Sequence, residues 1–381
     1  VSGSVRLTSL HLRNFRNFQE QRLEIPHAGM ALVGDNGQGK TNLLEAIYYL
    51  QIFRSFRGAP DEQLVRFGED VFRVVGHVES SGSSRRVTAA YDRRARVKKV
   101  TVNEEELPRL GDAIGRVAAV IFSPSDVAIV AGSPSERRRY LDILLSLAVP
   151  GYLLTLQRYR QIVARRNALL RAAAASGEIA AWNPGLISTG SRIIAARTLW
   201  LREHAEAFAG RVRVISGGSP GILEYEASME LDAAGSLTAS DIEDAFGDRL
   251  DRVREREQRR GMTLVGPHRD DLRIRAEREG SPGEWVDLRT YGSGGQQRTA
   301  AVALRMVEAE TLKFTSGEEP IILLDDVFAE LDPGRSERIL SWVREEEGGQ
   351  VILTAPKPSD LERRGVDVAS WGIRQGVISP L

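Results

Sequence analysis

One octapeptide constrains this chain more than anything else in it. Gly34-Asp35-Asn36-Gly37-Gln38-Gly39-Lys40-Thr41 fits the phosphate-loop pattern G-x-x-x-x-G-K-[ST]. Such a loop needs a buried strand before it and a helix after it. Met30-Ala31-Leu32-Val33 supplies the apolar run, and Asn42 to Gln51 places Leu43, Leu44, Ile47 and Leu50 on one helical face. The glycines let backbone N–H groups turn inward onto a β-phosphate, and the helix N-terminus adds positive potential. Lys40 is placed to reach the β- and γ-phosphates and Thr41 to ligate Mg²⁺. The stretch from Gly34 to Asn42 is therefore expected to hold ATP.

The rest of such a site must come from elsewhere, and two segments roughly 250 residues downstream qualify. Ile321-Ile322-Leu323-Leu324 reads as a parallel strand buried on both faces, and it ends in Asp325-Asp326. Carboxylates at that end sit where open α/β sheets bind ligands. Asp325 can hold the Mg²⁺ water shell, and Asp326 can orient or deprotonate the attacking water. Ser293-Gly294-Gly295-Gln296 opens a long helix. It is either a glycine-rich helix cap or an anion site, and a second phosphate-binding helix start is redundant in one chain. It becomes useful when it faces the γ-phosphate of another subunit's ATP.

Composition narrows the class. The chain has no cysteine, which excludes disulfides, thiolate metal sites and cysteine nucleophiles. It lacks a membrane-length apolar run and a signal-peptide pattern, so a soluble cytoplasmic protein is expected. Fifty-two basic residues balance 52 acidic ones, but unevenly: Arg85–Lys99 holds seven bases and one acid, and residues 214–248 hold eight acids and no base. A neutral protein can thus carry a positive face, although solvated helix and hairpin surfaces give the same pattern.

Periodicity organises the remainder. Residues 5–34 read as β, and Val71–Glu79, Arg85–Asp92 and Arg96–Val102 as an antiparallel meander. Ser133-Pro134-Ser135-Glu136 and Ser240-Asp241-Ile242-Glu243 each read as a capping box opening a helix. Breakers at Pro150, Gly177, Pro184 and Gly210 divide the helical stretch. The expected organisation is an α/β ATPase head from residues 1–130 and 261–381, carrying the β meander, with a helix-rich lobe at 131–260. Arg137-Arg138-Arg139 stands in the first turns of a helix, against the macrodipole, and suits either an anionic partner or a salt-bridged surface.

These motifs resemble the ATP-binding-cassette ATPases. Leu12-Arg13-Asn14-Phe15-Arg16-Asn17-Phe18 resembles the SMC-like repair branch of that class. Gly132–Arg138, Gly266-Pro267-His268-Arg269-Asp270-Asp271 and Leu324–Asp332 sharpen the resemblance to the RecF family of gap-repair proteins. It spans nearly the whole chain in order. It implies an ATP-binding-cassette head with an antiparallel β subdomain, an inserted helical lobe and no long coiled coil. Arg13 and Asn14 are implied as further nucleotide contacts. The implied activity is a weak, DNA-stimulated ATPase that closes a head-to-tail homodimer on DNA, duplex or single-strand/double-strand junction. Such a protein acts with RecR and RecO to promote RecA loading at gaps, with no membrane partner.

Two positions depart from transporter-type cassettes: Asp326 stands where they have Glu, and Thr354 where they have His. The glutamine-loop equivalent falls near Ser123–Asp126, which holds no glutamine. His268 reads as a hydrogen-bonding residue rather than a metal ligand. A transporter ATPase subunit is the runner-up. An SMC-type tether would need hundreds of residues of heptads, and a small-molecule kinase would leave Ser293–Gln296 unexplained.

Overall fold

The helix after the phosphate loop, Lys40–Ile52, is buried at every residue from Leu43 to Ile52. A helix covered all round needs a layer on both sides. One layer is a six-stranded sheet and the other a second six-stranded sheet. The computed structural model describes residues 3–218, 220–231, 238–278, 281, 283–327, 332–345, 349–362 and 368–381. The first sheet runs in the order Val377–Pro380, Ala369–Arg374, Gly29–Val33, Val351–Ala355, Ile321–Leu324, Ala119–Phe122. Its last five strands are parallel, and Val377–Pro380 closes an antiparallel hairpin on Ala369–Arg374. The second sheet is antiparallel and contains the expected meander, Val71–Ser80, Ser83–Asp92 and Val97–Val102, beside Arg6–Phe15.

A buried side chain ties the two sheets. The register of Arg6–Phe15 against Val71–Ser80 shifts between Leu7 and Ser9. At this irregularity Gln350 donates to Leu7 O at 3.0 Å and accepts from Leu7 N at 2.8 Å. The same amide donates to Pro26 O at 3.0 Å. A buried peptide group without these bonds would cost roughly 1–3 kcal/mol.

The chain divides into two compact units. One comprises Val1–Asp126, Val214–Ser216 and Ala301–Leu381, and the other Val127–Arg213 and Gly217–Ala300. Residues 261–300, expected with the nucleotide head, fall in the helical unit. The reason is strand pairing: Asp271–Glu277 is the middle strand of a sheet with Gly221–Glu226 and Trp285–Asp287. The helical unit also contains Pro134–Ala148, Tyr152–Arg171 and Ala239–Arg260. Its core holds an ion pair, Arg166 to Glu257 at 2.6 Å, with both side chains almost fully buried. Thr263, Asn183 and the Leu264 N–H satisfy the remaining polar atoms of that pair.

Three local expectations change. Gly210 does not break the helical stretch, because Asn183–Ser216 is one helix of 34 residues that passes through it. A lone glycine costs a helix only about 1 kcal/mol. Ser133 is the N-cap of Pro134–Ala148 but makes no capping bond; its hydroxyl meets Ser135 Oγ at 2.6 Å. The second capping box is Thr238 with Asp241, two residues earlier than expected.

Candidate functional site

The phosphate loop leaves the carboxyl end of Gly29–Val33. Gly37 and Gly39 take positive φ values of 81° and 115°. At Gly39 a Cβ would also lie 2.4 Å from Asn17 Nδ2, so glycine is required there. Asn17 braces the loop, donating to Gln38 O at 2.7 Å and accepting from Asn42 Nδ2 at 2.8 Å. The hairpin turn Gln375-Gly376, which packs against Asn17, braces the same residue of the loop. Gln375 N donates to Gln38 Oε1 at 2.7 Å and Gly376 N to Gln38 O at 3.2 Å. Lys40 Nζ lies inside the loop on the carbonyls of Gly34 (2.5 Å) and Asp35 (3.1 Å).

Sheet order carries the distant carboxylate to this loop. Ile321–Leu324 is two positions from Gly29–Val33, or about 10 Å at the usual strand spacing. Thr41 Oγ1 donates to Asp325 Oδ1 at 2.9 Å. The strand between them supplies Thr354, whose hydroxyl donates to the same Asp325 oxygen at 3.2 Å and accepts from Asp326 N at 2.9 Å. Burial pushes the Asp325 carboxyl above its ordinary value and the neighbouring Asp326 adds to the rise, while the bonds from Thr41 and Thr354 oppose it. Asp326 is left-handed at φ 50°, sparsely populated for non-glycine residues but tolerated by Asp.

The Thr41–Asp325 pair fits Mg²⁺. Both side chains offer hard oxygen donors, and their hydrogen bond brings the two oxygens together at the end of the phosphate loop.

Other expected residues sit elsewhere. Asn14 donates to Glu69 Oε2 at 3.1 Å and Arg13 is exposed on Arg6–Phe15; the side chain of this segment that reaches the loop is Asn17. Ser293–Gln296 belongs to the helical unit, at the start of Gly294–Ser316. Ser293 N donates to Gln296 Oε1 (2.9 Å) and Gln296 N to Ser293 Oγ (3.2 Å), a reciprocal cap that leaves Ser293 and Gly294 exposed. Phe328–Leu331 of the motif after Asp326 lie outside the described residues. Near Ser123, buried Asp126 accepts from Ser123 N at 2.7 Å and from Arg305 at 2.6 Å.

The Arg137 run and the Gly266–Asp271 motif form one cluster in the helical unit. Arg137 grips Asp271 with two 2.8 Å bonds, and Arg138 donates to Asp270 O at 2.8 Å. His268 Nε2 meets Thr263 O at 3.2 Å, so it carries the proton, and Nδ1 accepts from Tyr159 Oη at 2.6 Å.

The profile of the RecF/RecN/SMC N terminal domain matches residues 6–370. The DNA replication and repair protein RecF of Bacillus cytotoxicus is 35% identical over 89% of this chain and 89% of its own length. The chain belongs to the RecF family. RecF of Roseiflexus castenholzii is 35% identical over 98% of this chain and 99% of its own. A solved structure of the recombination mediator protein RecF-ATP in the RecFOR pathway superposes with a TM-score of 0.88, at 31% identity, over 100% of this chain and 99% of that one. The Smc head domain of Pyrococcus furiosus shares the fold alone, with a TM-score of 0.56 and 15% identity over 99% and 96% of the two chains. The RecF fold is thus an α/β ATP-binding-cassette head with an antiparallel β subdomain and a helical insert.

Proposed function

We propose that this RecF-family chain is an ATP-driven DNA-binding switch of recombinational repair. The observation that carries the proposal is the 2.9 Å contact between Thr41 and Asp325, which unites residues 284 positions apart at the mouth of a phosphate loop. The loop N–H groups and Lys40 hold the β- and γ-phosphates. Lys40 then exchanges the Gly34 and Asp35 carbonyls for phosphate oxygens. Thr41 and Asp325 would hold Mg²⁺, and its charge would offset that of the phosphates. Asp326, its backbone fixed by Thr354, orients the attacking water and takes its proton.

Ser293–Gln296 serves the partner's ATP in a head-to-tail homodimer. Its exposure and its helix start favour that use over a purely local cap. ATP closes the dimer on duplex or junction DNA, slow DNA-stimulated hydrolysis opens it, and the cycle promotes RecA loading at gaps with RecO and RecR in the cytoplasm. Family membership weighs against the transporter alternative.

Fluorescence anisotropy on duplex, single-strand and junction DNA, with ATP, ADP or no nucleotide, tests the switch. Tight binding is expected with ATP alone, weakening steeply with salt in proportion to the phosphates contacted. Equal affinity in all three nucleotide states refutes it.

A further inference from the structure

The helical unit contains a cavity of about 200 Å³ whose lining includes four arginines, Arg138, Arg139, Arg160 and Arg197, and one carboxylate, Asp142. Helical spacing assembles it. Arg138 and Asp142 are four residues apart on Pro134–Ala148, Tyr159 and Arg160 come from Tyr152–Arg171, and Arg197 from Asn183–Ser216. Tyr159 and Arg197 are buried and make the floor, whereas the Arg160 side chain is 58% exposed and stands at the rim.

The carboxylates around the cavity are already engaged. Asp142 accepts from Tyr152 and Arg197 through Oδ1, each at 2.8 Å, and from Arg160 through Oδ2 at 2.9 Å. Asp271 is held by Arg137, and Asp270 accepts from Tyr225 and from Ser228 N. Arg138 reaches a backbone carbonyl, that of Asp270, rather than a carboxylate. Burial pushes its guanidinium below the ordinary value, and Arg197 adds repulsion while Asp271, Asp270 and Asp142 oppose the fall. His268 lines the cavity as a neutral ring, held low at about 4 by burial. The cavity thus concentrates positive charge with a single carboxylate in its lining.

Size and depth select the anion. The volume lies below the roughly 300–1,000 Å³ of pockets that enclose whole small molecules, so it suits one charged group. An internal phosphodiester carries a sugar on each side and cannot reach a buried floor. A phosphomonoester is attached on one side, presents three oxygens and carries about −1.5 to −2 charge at pH 7. We propose that this cavity binds a phosphomonoester dianion, with Arg138 and Arg160 donating to its oxygens and Arg197 supplying fixed charge at the floor. The source is either the terminal phosphate of a nucleic-acid strand or a free phosphate. None of these residues belongs to the phosphate loop, so the inference stands apart from the ATP-switch reading.

The test uses the full chain carrying Lys40→Met, without nucleotide, to weaken the phosphate loop's own hold on anions. Anisotropy compares one short single strand with a 5′-phosphate, a 3′-phosphate or hydroxyls at both ends, and ³¹P NMR follows inorganic phosphate. A terminal phosphate should tighten binding about tenfold, and Arg138→Gln should remove the gain. Arg160→Gln, at the rim, should do the same with an unchanged circular-dichroism melt. Strand discrimination identifies the source as a strand end. Binding of inorganic phosphate that depends on Arg138 and Arg160, without strand discrimination, identifies a free phosphate. The proposal is overturned if neither probe responds, or if the response survives both substitutions.

Discussion

Acidification should loosen the helical unit through one side chain. His268 is held at about 4, against an ordinary 6.5, chiefly by burial, with Arg269, Arg138 and Arg166 adding repulsion. Because the folded value is the lower one, the unfolded chain binds the proton more tightly. The stability contribution is therefore complete above about pH 6.5 and is lost as pH falls towards 4. Each pH unit of difference is worth about 1.36 kcal/mol, so the full loss is about 3.4 kcal/mol. Weighting by protonation gives a loss of about 0.2 kcal/mol at pH 7 and about 2 kcal/mol at pH 5. Protonation also places a proton on Nδ1, which removes the acceptor for Tyr159 Oη. His268→Gln eliminates the titration at some constant cost. Hydrogen exchange by mass spectrometry over Tyr152–Arg171, corrected for intrinsic rates, measures the opening free energy at both pH values. The wild type should lose about 1.8 kcal/mol more than the variant between pH 7 and 5. Equal losses in the two proteins would refute the assignment of a buried neutral ring.

Lys40→Met should weaken ATP binding by about 10- to 100-fold, the loss of a charged hydrogen bond worth roughly 1.5–3 kcal/mol; calorimetric titration measures it. Asp326→Asn should keep ATP affinity but slow hydrolysis by about 10²–10⁴-fold, with a long-lived ATP complex on DNA. Normal turnover in a phosphate-release assay would remove Asp326 as the water-orienting group. Glu257→Gln should destabilise the helical unit by about 3–5 kcal/mol, because it strands the buried Arg166. A denaturant titration that separates the two units checks this value, and a change under about 1 kcal/mol would mean that Arg166 finds another partner.

Much of the candidate site's layout was legible because its chemistry is local. The phosphate loop announces its own strand and helix, and the apolar run before Asp325 identifies a buried parallel strand whose carboxyl end must face ligand. The braces of the site were not legible. Asn17 follows Asn14 by three residues in a segment that offers asparagine at both places, and only the left-handed turn around Asn14 and Arg16 decides which one reaches Gln38. Gln375-Gly376 acts on the loop from 337 residues away, through sheet order that no local pattern encodes. The glycine of Gln375-Gly376 between two short segments is the local turn signal, borne by two positive φ values in the structure, and it locates the turn but not its target. The helical unit shows the same limit. Arg137-Arg138-Arg139 left open an anionic partner or a salt-bridged surface, and tertiary structure pairs Arg137 with Asp271 while directing Arg138 to a carbonyl.

The central claim, that each ATP site is completed by Ser293 of a second copy, is tested most directly by mixing two inactive chains. Lys40→Met lacks a working phosphate loop and Ser293→Arg lacks the trans contact, so each alone should show neither ATP-dependent dimerisation nor DNA-stimulated hydrolysis. In a mixed dimer, the intact loop of the Ser293→Arg chain faces the intact Ser293 of the Lys40→Met chain and forms one complete site. Hydrolysis that reappears on mixing, together with a dimer mass in light scattering, is the predicted result. A mixture as inactive as its components, or a Ser293→Arg chain that hydrolyses ATP by itself, would contradict the account.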